Sequence, residues 1–139
     1  MSQSAYLYFV EGSAVPSLTL EELEAQLHRY KEQTEKTGRQ LGWDYTAAAF
    51  PYTIEKPPEG KGVWFYLKGD GDRYKYIVMG VGSKQTENGE KHYVQVVLPD
   101  GSTYGDKNKG NELCKYLARH LQAELHLFNG RVMYFNPRK

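Results

Sequence analysis

The chain has 139 residues and a formal net charge of +1, the size of one ordinary domain that can bury a core without disulfides or a structural metal. With 40% apolar and 25% charged residues its composition is that of a soluble globular protein, and the near-neutral charge excludes a global pull toward nucleic acid or anionic membrane. The single cysteine, Cys114, excludes an intrachain disulfide and every paired-cysteine metal or redox motif, which points to a reducing compartment.

The amino-terminal stretch MSQSAYLYFVEG has no basic n-region. Its apolar run over residues 5–10 is too short for a signal-peptide core or a membrane span. A cytoplasmic protein without membrane association is expected, with AYLYFV as a first strand and a turn region over residues 12–16. A helix then starts at a capping box, Thr19 with Glu22 three residues on, and Glu21, Glu22 and Glu24 suit the positive end of its dipole. Leu20, Leu23, Leu27 and Tyr30 recur at three and four residues. The pattern weakens through Thr34 and Thr37, and Gly38 offers a stop after about five turns. About two heptads are too few for a coiled coil, so the stripe is expected to pack on a sheet.

Residues 41–62 carry Trp43, Tyr45, Phe50 and Tyr52 and then the polar stretch EKPPEGKG. Phe50, Tyr52 and Ile54 alternate while Pro51 removes a ladder donor, so residues 50–55 suggest an edge strand. In VWFYLKGDGDRYKYIVMG, residues 63–80, a two-residue turn at Asp70-Gly71 would pair Lys68 with Arg73, Leu67 with Tyr74, Phe65 with Tyr76 and Val63 with Val78. A second turn at Asn88-Gly89 would set Val81 opposite Val96 and Met79 opposite Leu98, giving a three-stranded meander. After Pro99, Asp100 and Gly101, a second helix is expected with Asp106 or Asn108 as its cap and Leu113, Cys114, Leu117, Ala118 and Leu121 on its apolar side. Asn129-Gly130 closes a final hairpin, pairing Leu127 with Val132 and Leu125 with Tyr134. The expected architecture is α+β: one domain over residues 1–139, in which an antiparallel sheet of meander plus carboxy-terminal hairpin packs with two amphipathic helices.

Both faces of that meander carry apolar residues in this register, whereas a sheet with one wet face should alternate apolar with polar. Cover by one helix on each side is one solution. The surplus of apolar surface points further, to a homodimer.

The motifs carry little chemistry. Asp70 and Asp72 begin like a calcium loop, but Arg73, Tyr74, Lys75 and Tyr76 follow where oxygen ligands are needed. GVGSK, residues 80–84, lacks the third glycine of a dinucleotide loop and opens no helix; Gly80 and Gly82 suggest relief for a close-packed helix or a bulge. His28, His92, His120 and His126 form no metal spacing. Cys114 sits on the apolar stripe of its helix, where a small core residue is expected rather than a nucleophile. No catalytic residue, metal or cofactor is assigned.

Charge is uneven along the chain. Residues 106–139 hold seven Lys or Arg (Lys107, Lys109, Lys115, Arg119, Arg131, Arg138, Lys139) against three acids, and residues 1–105 hold 11 against 14. Aromatic residues are abundant, with 12 Tyr, 5 Phe and 2 Trp, and tyrosine suits half-buried sheet surfaces and binding surfaces alike. Over its whole length, and especially in AYLYFV and NELCKYLARHLQAELHLFNGRVMYFNP, the chain resembles a small uncharacterised family of cytoplasmic proteins from spore-forming Gram-positive bacteria. That resemblance implies a compact single domain and supplies no activity.

The expected function is therefore a non-enzymatic interaction module whose tyrosine-rich surface binds a protein partner or a second copy of the chain. Two competing classes remain: a nucleic-acid binder using the basic carboxy-terminal third, with Lys115, Arg119, His126 and Arg131 as contacts, and a small enzyme with an aromatic pocket of Trp43, Tyr45 and Phe50.

Overall fold

The computed structural model of the chain describes residues 3–41, 50–69, 73–87 and 89–136. In chain order these form β1 (Gln3–Tyr8), α1 (Leu20–Leu41), β2 (Tyr52–Glu55), a 3-10 turn (Pro58–Gly60), β3 (Trp64–Gly69), β4 (Tyr76–Thr86), β5 (Gly89–Leu98), α2 (Tyr104–Leu121), β6 (Glu124–His126) and β7 (Val132–Tyr134). The strands make one sheet in the order β2-β3-β4-β5-β1-β6-β7, antiparallel at every pairing. The α+β class, the meander and the carboxy-terminal hairpin are as expected. What joins them is β1, which lies between β5 and β6.

Helix α1 opens on the expected capping box: the Glu22 amide donates to Thr19 Oγ1 at 3.1 Å and the Thr19 amide to Glu22 Oε1 at 3.0 Å. It does not stop at Gly38 but continues to Leu41. Leu23, Leu27, Tyr30, Thr34 and Gly38 are all buried, so the glycine sits in the packed stripe, where tertiary contact outweighs its poor helix propensity. Helix α2 is capped by Thr103, not by Asp106 or Asn108. Asp106 is instead the third helical residue and closes a capping box with Thr103.

All three hairpin registers differ from those expected. In β3–β4, Phe65 faces Met79 and Leu67 faces Ile77, a displacement of three residues. The cause is that Arg73, Tyr74 and Lys75 leave the ladder to dock on the first turn of α2. Both carboxylate oxygens of Asp106 accept from the Lys75 amide, at 3.0 and 3.1 Å, and the Thr103 hydroxyl donates to the Arg73 carbonyl. The expected Asp70-Gly71 turn, and Asp72 with it, lies outside the described residues. In β4–β5, Met79 faces Val96 and Thr86 faces Gly89, a displacement of two that keeps each side chain on its face. In β6–β7, Leu125 faces Met133; the three residues between Leu127 and Arg131 form the loop, with Gly130 at φ 86°, as three-residue hairpins favour.

The odd displacement in β3–β4 gathers the core on one side. Ala5, Leu7, Phe65, Leu67, Ile77, Met79, Val94, Val96 and Leu125 all have no exposure. Helix α2 packs over β1, β4, β5 and β6 on that side. Helix α1 joins the same layer: Tyr30 meets Phe50 and Tyr116, with ring centroids 6.2 and 4.9 Å apart, and donates its hydroxyl to Glu112 at 3.0 Å. Cover by one helix on each side, one of the two solutions the sequence offered, is therefore not the one adopted. Both cover the same face.

Cys114 is fully buried, and burial pushes its thiol up to about 12. Thiol reagents should label it slowly in the native chain and fast after denaturation. Burial, together with the hydrogen bond donated to Asp106, raises the Tyr52 phenol as well. Both groups stay protonated in the folded chain at pH values where the unfolded chain loses those protons. Their contribution is complete below the unfolded values of 9.0 and 10.0 and is lost as pH rises through the folded values. The unfolding free energy from urea titrations should therefore decline above about pH 9, by at most about 1.4 kcal/mol per pH unit for each group. Tyr52→Phe should flatten the fall above pH 10; an unchanged slope would show that Tyr52 is not the source.

Candidate binding face

With both helices on one side, the other face of the sheet has no α-helix or strand over it among the described residues. Its outward side chains follow from the observed registers. Trp64 lies opposite Gly80, and Tyr93 lies opposite both Gly82 and Tyr8. Tyr66, Val78 and Val97 are half-buried on the same face, and Tyr76 is 46% exposed. A water-facing sheet surface would normally be polar at these positions.

Gly80 and Gly82 make room for rings, not for a helix or a bulge. A Cβ on Gly82 would stand 2.7 Å from the Tyr93 hydroxyl oxygen, and one on Gly80 3.0 Å from Trp64 Cβ and the Val63 carbonyl oxygen. The indole of Trp64 reaches back over Gly60, where an added Cβ would meet it at 3.5 Å. An open hollow of about 390 Å³ remains between the two aromatic side chains, lined by Val78, Gly80, Gln95 and Val97 among others. No carboxylate or histidine lines it.

At the β1 side of this hollow the aromatic rings close on one another. Tyr6 stacks on Tyr8 at 5.7 Å, and Tyr93 meets both edge-on at 5.6 and 5.9 Å. His126 packs edge-on against Tyr8 at 4.8 Å and lies 3.2 Å from Glu124 Oε2. The ammonium groups of Lys84 and Lys91 stand 4.6 and 4.5 Å from the Tyr8 ring centroid, within cation–π range. Gln95 donates to the hydroxyls of Ser4 and Tyr6, at 3.3 and 3.2 Å.

The residues singled out from sequence are dispersed. Trp43 and Tyr45 lie outside the described residues. Phe50 is buried, edge-on to Tyr52 at 5.9 Å, where it fills core. Lys115 and Arg119 are exposed on α2, on the far side of the sheet from His126, and Arg131 is exposed in the β6–β7 turn. Of the other basic residues, Lys109 is buried and paired with Glu112 at 2.6 Å, and Arg138 and Lys139 lie outside the described residues. The basic helix and the aromatic face therefore point in opposite directions. Sequence reasoning left out Tyr6, Tyr8, Trp64 and Tyr93 as a group; the signal lay in their shared outward parity once the strands are paired correctly. No group of three metal-ligating side chains occurs among the described residues, and none of the described helices is long and apolar enough to cross a membrane.

A family model described as Domain of unknown function (DUF1885) matches residues 3–137. The solved crystal structure of a protein of unknown function from Bacillus stearothermophilus is 42% identical, with a TM-score of 0.60 over 88% of this chain and 93% of that one. No curated protein matches.

Proposed function

Since the chain belongs to the DUF1885 family of unknown function, and the family's description assigns no chemistry, we propose from the geometry that it is a non-catalytic interaction module whose binding surface is the uncovered sheet face. One observation carries this reading: both helices lie on the opposite side, so Trp64, Tyr66, Tyr76, Val78, Tyr93 and Val97 face outward with no α-helix or strand over them among the described residues. Apolar and aromatic patches of this kind mark interaction sites in soluble proteins. The hollow between Trp64 and Tyr93 lacks the acid and base groups that catalysis would need.

The occupant is a segment of a protein partner. Four central strands spaced about 4.8 Å apart and read over about five residues make a patch of roughly 300 Å², whereas a standard stable interface buries about 800 Å² on each partner. A homodimer would have to use the whole seven-strand face. Light scattering during size-exclusion chromatography should accordingly give one 16.0 kDa chain across a tenfold dilution series. A mass of two chains would make a second copy the occupant.

The surface itself is tested by placing a photo-crosslinking side chain at Val97 or at Lys115 in cells. A discrete adduct is expected from Val97, lost when Val78→Lys is added, and none from Lys115. Adducts from Lys115 alone would move the surface to α2 and end this reading.

A further inference from the structure

The hollow has a charged end that narrows the partner's chemistry. Along the β4–β5 ribbon the outward pairs are Val78 with Val97, Gly80 with Gln95, Gly82 with Tyr93, and then Lys84 with Lys91. Like charges directly opposite in a strand pair repel, yet both of these lysines turn toward one ring, that of Tyr8. Among the described residues Lys91 pairs with the Glu124 carboxylate at 3.9 Å, which is shared with His126 at 3.2 Å. Lys84 instead donates to the Tyr8 hydroxyl at 3.5 Å, and no carboxylate reaches it among the described residues. Two ammonium groups and a phenol thus converge where the structure supplies one partly committed carboxylate.

Building on the binding surface proposed above, we infer that Lys84, Lys91 and Tyr8 form an anion subsite, and that the partner segment places an aromatic or aliphatic side chain in the Trp64–Tyr93 hollow and a carboxylate at the lysines. The spacing fits an extended peptide. Each outward step along the ribbon is two residues, about 7 Å, the same as the step between same-side residues of a strand. An apolar residue lodged above Gly80 and Gly82 therefore brings a residue two or four positions further on to the lysine pair. Single-stranded nucleic acid fits less well. The rings of Tyr6 and Tyr8 are stacked on each other and Tyr93 is edge-on to both, which leaves little free ring face for a base.

The probes are a capped six-residue peptide of two phenylalanines followed by four glutamates, its glutamine counterpart, and a hexauridylate, each titrated into the full chain and followed by amide chemical shifts. At low salt the acidic peptide should bind about fivefold or more tightly than the glutamine peptide, with shifts spread over residues 78–97, and the advantage should shrink at 0.5 M salt. Lys84→Gln with Lys91→Gln should abolish the advantage, the two peptides being compared on the same variant. Equal binding of the two peptides at this face, or an advantage that survives the double substitution, would overturn the anion subsite and leave the binding surface standing. Binding of neither peptide, or shifts confined to α2, would overturn both. Tighter binding of hexauridylate than of the acidic peptide would replace the peptide partner by nucleic acid.

Discussion

Asp106→Ala should lower the unfolding free energy by about 3–5 kcal/mol, because it leaves several buried donors unpaired at about 1–3 kcal/mol each. Asp106 has no exposure. Its carboxylate accepts from the Tyr52 hydroxyl at 2.6 Å, from the Lys75 amide at 3.0 and 3.1 Å, from the Thr103 amide at 3.0 Å and, more weakly, from the Tyr76 amide at 3.4 Å. Those donors belong to the edge strand, the entry to β4 and the cap of α2, so one side chain ties three elements together. Asp106→Asn keeps one acceptor oxygen but turns an amide donor toward other donors, and should cost about 2 kcal/mol or more. Tyr52→Phe removes a single bond while Asp106 keeps its amides, and should cost about 1 kcal/mol. Urea unfolding followed by circular dichroism gives the order directly. A loss below about 1 kcal/mol for Asp106→Ala would mean that the carboxylate is not the tie described.

The same contact explains how far the sequence could be read. Elements with a local physical signature were legible: the Thr19–Glu22 box, the leucine stripes of α1 and α2, the alternation in β2, and the Gly130 turn. Register was not, because the best local rule for a hairpin, a two-residue Asp-Gly or Asn-Gly turn, competes with contacts far away in sequence. Arg73 and Lys75 bond to Thr103 and Asp106, roughly 30 positions on, and nothing near GDGD announces it. A three-residue displacement is odd, so it moved Ile77 and Met79 from the face assigned to them onto the core side. That single change turned an apparent sheet with two apolar faces into one with a dry face and an aromatic wet one. The candidate site was hidden for the same reason. Phe50 looked like a pocket wall and is core, while Trp64 and Tyr93, which flank the hollow, become neighbours only across β4 in the true register. Charge misled in another way: the basic carboxy-terminal third is a property of chain position, and folding sends α2 to one side of the sheet and His126 to the other.

Gly105→Ala decides whether this docking is as tight as the geometry indicates, because two effects predict opposite signs. Gly105 lies in the first turn of α2, and on helix propensity alone alanine should stabilise by up to about 1 kcal/mol. A Cβ there, however, would collide with the Arg73 carbonyl oxygen and stand 2.9 Å from the Tyr74 ring. The first contact is with backbone held by the Thr103 hydroxyl, so it cannot swing away as a flexible side chain would. Relief requires residues 73–75 to lift off α2, which stretches the bonds from the Lys75 amide to Asp106. The clash should outweigh propensity, with a net loss of about 2–3 kcal/mol. Gly69→Ala should behave likewise, since its Cβ would collide with the Tyr74 carbonyl oxygen. Because this segment fixes where β4 enters the sheet, and so which residues stand opposite Trp64, survivors of either substitution should also show altered amide shifts at Trp64, Gly80 and Tyr93. A Gly105→Ala chain as stable as the parent or more so, with those shifts unchanged, would show that the 73–75 segment does not set the register of the binding face.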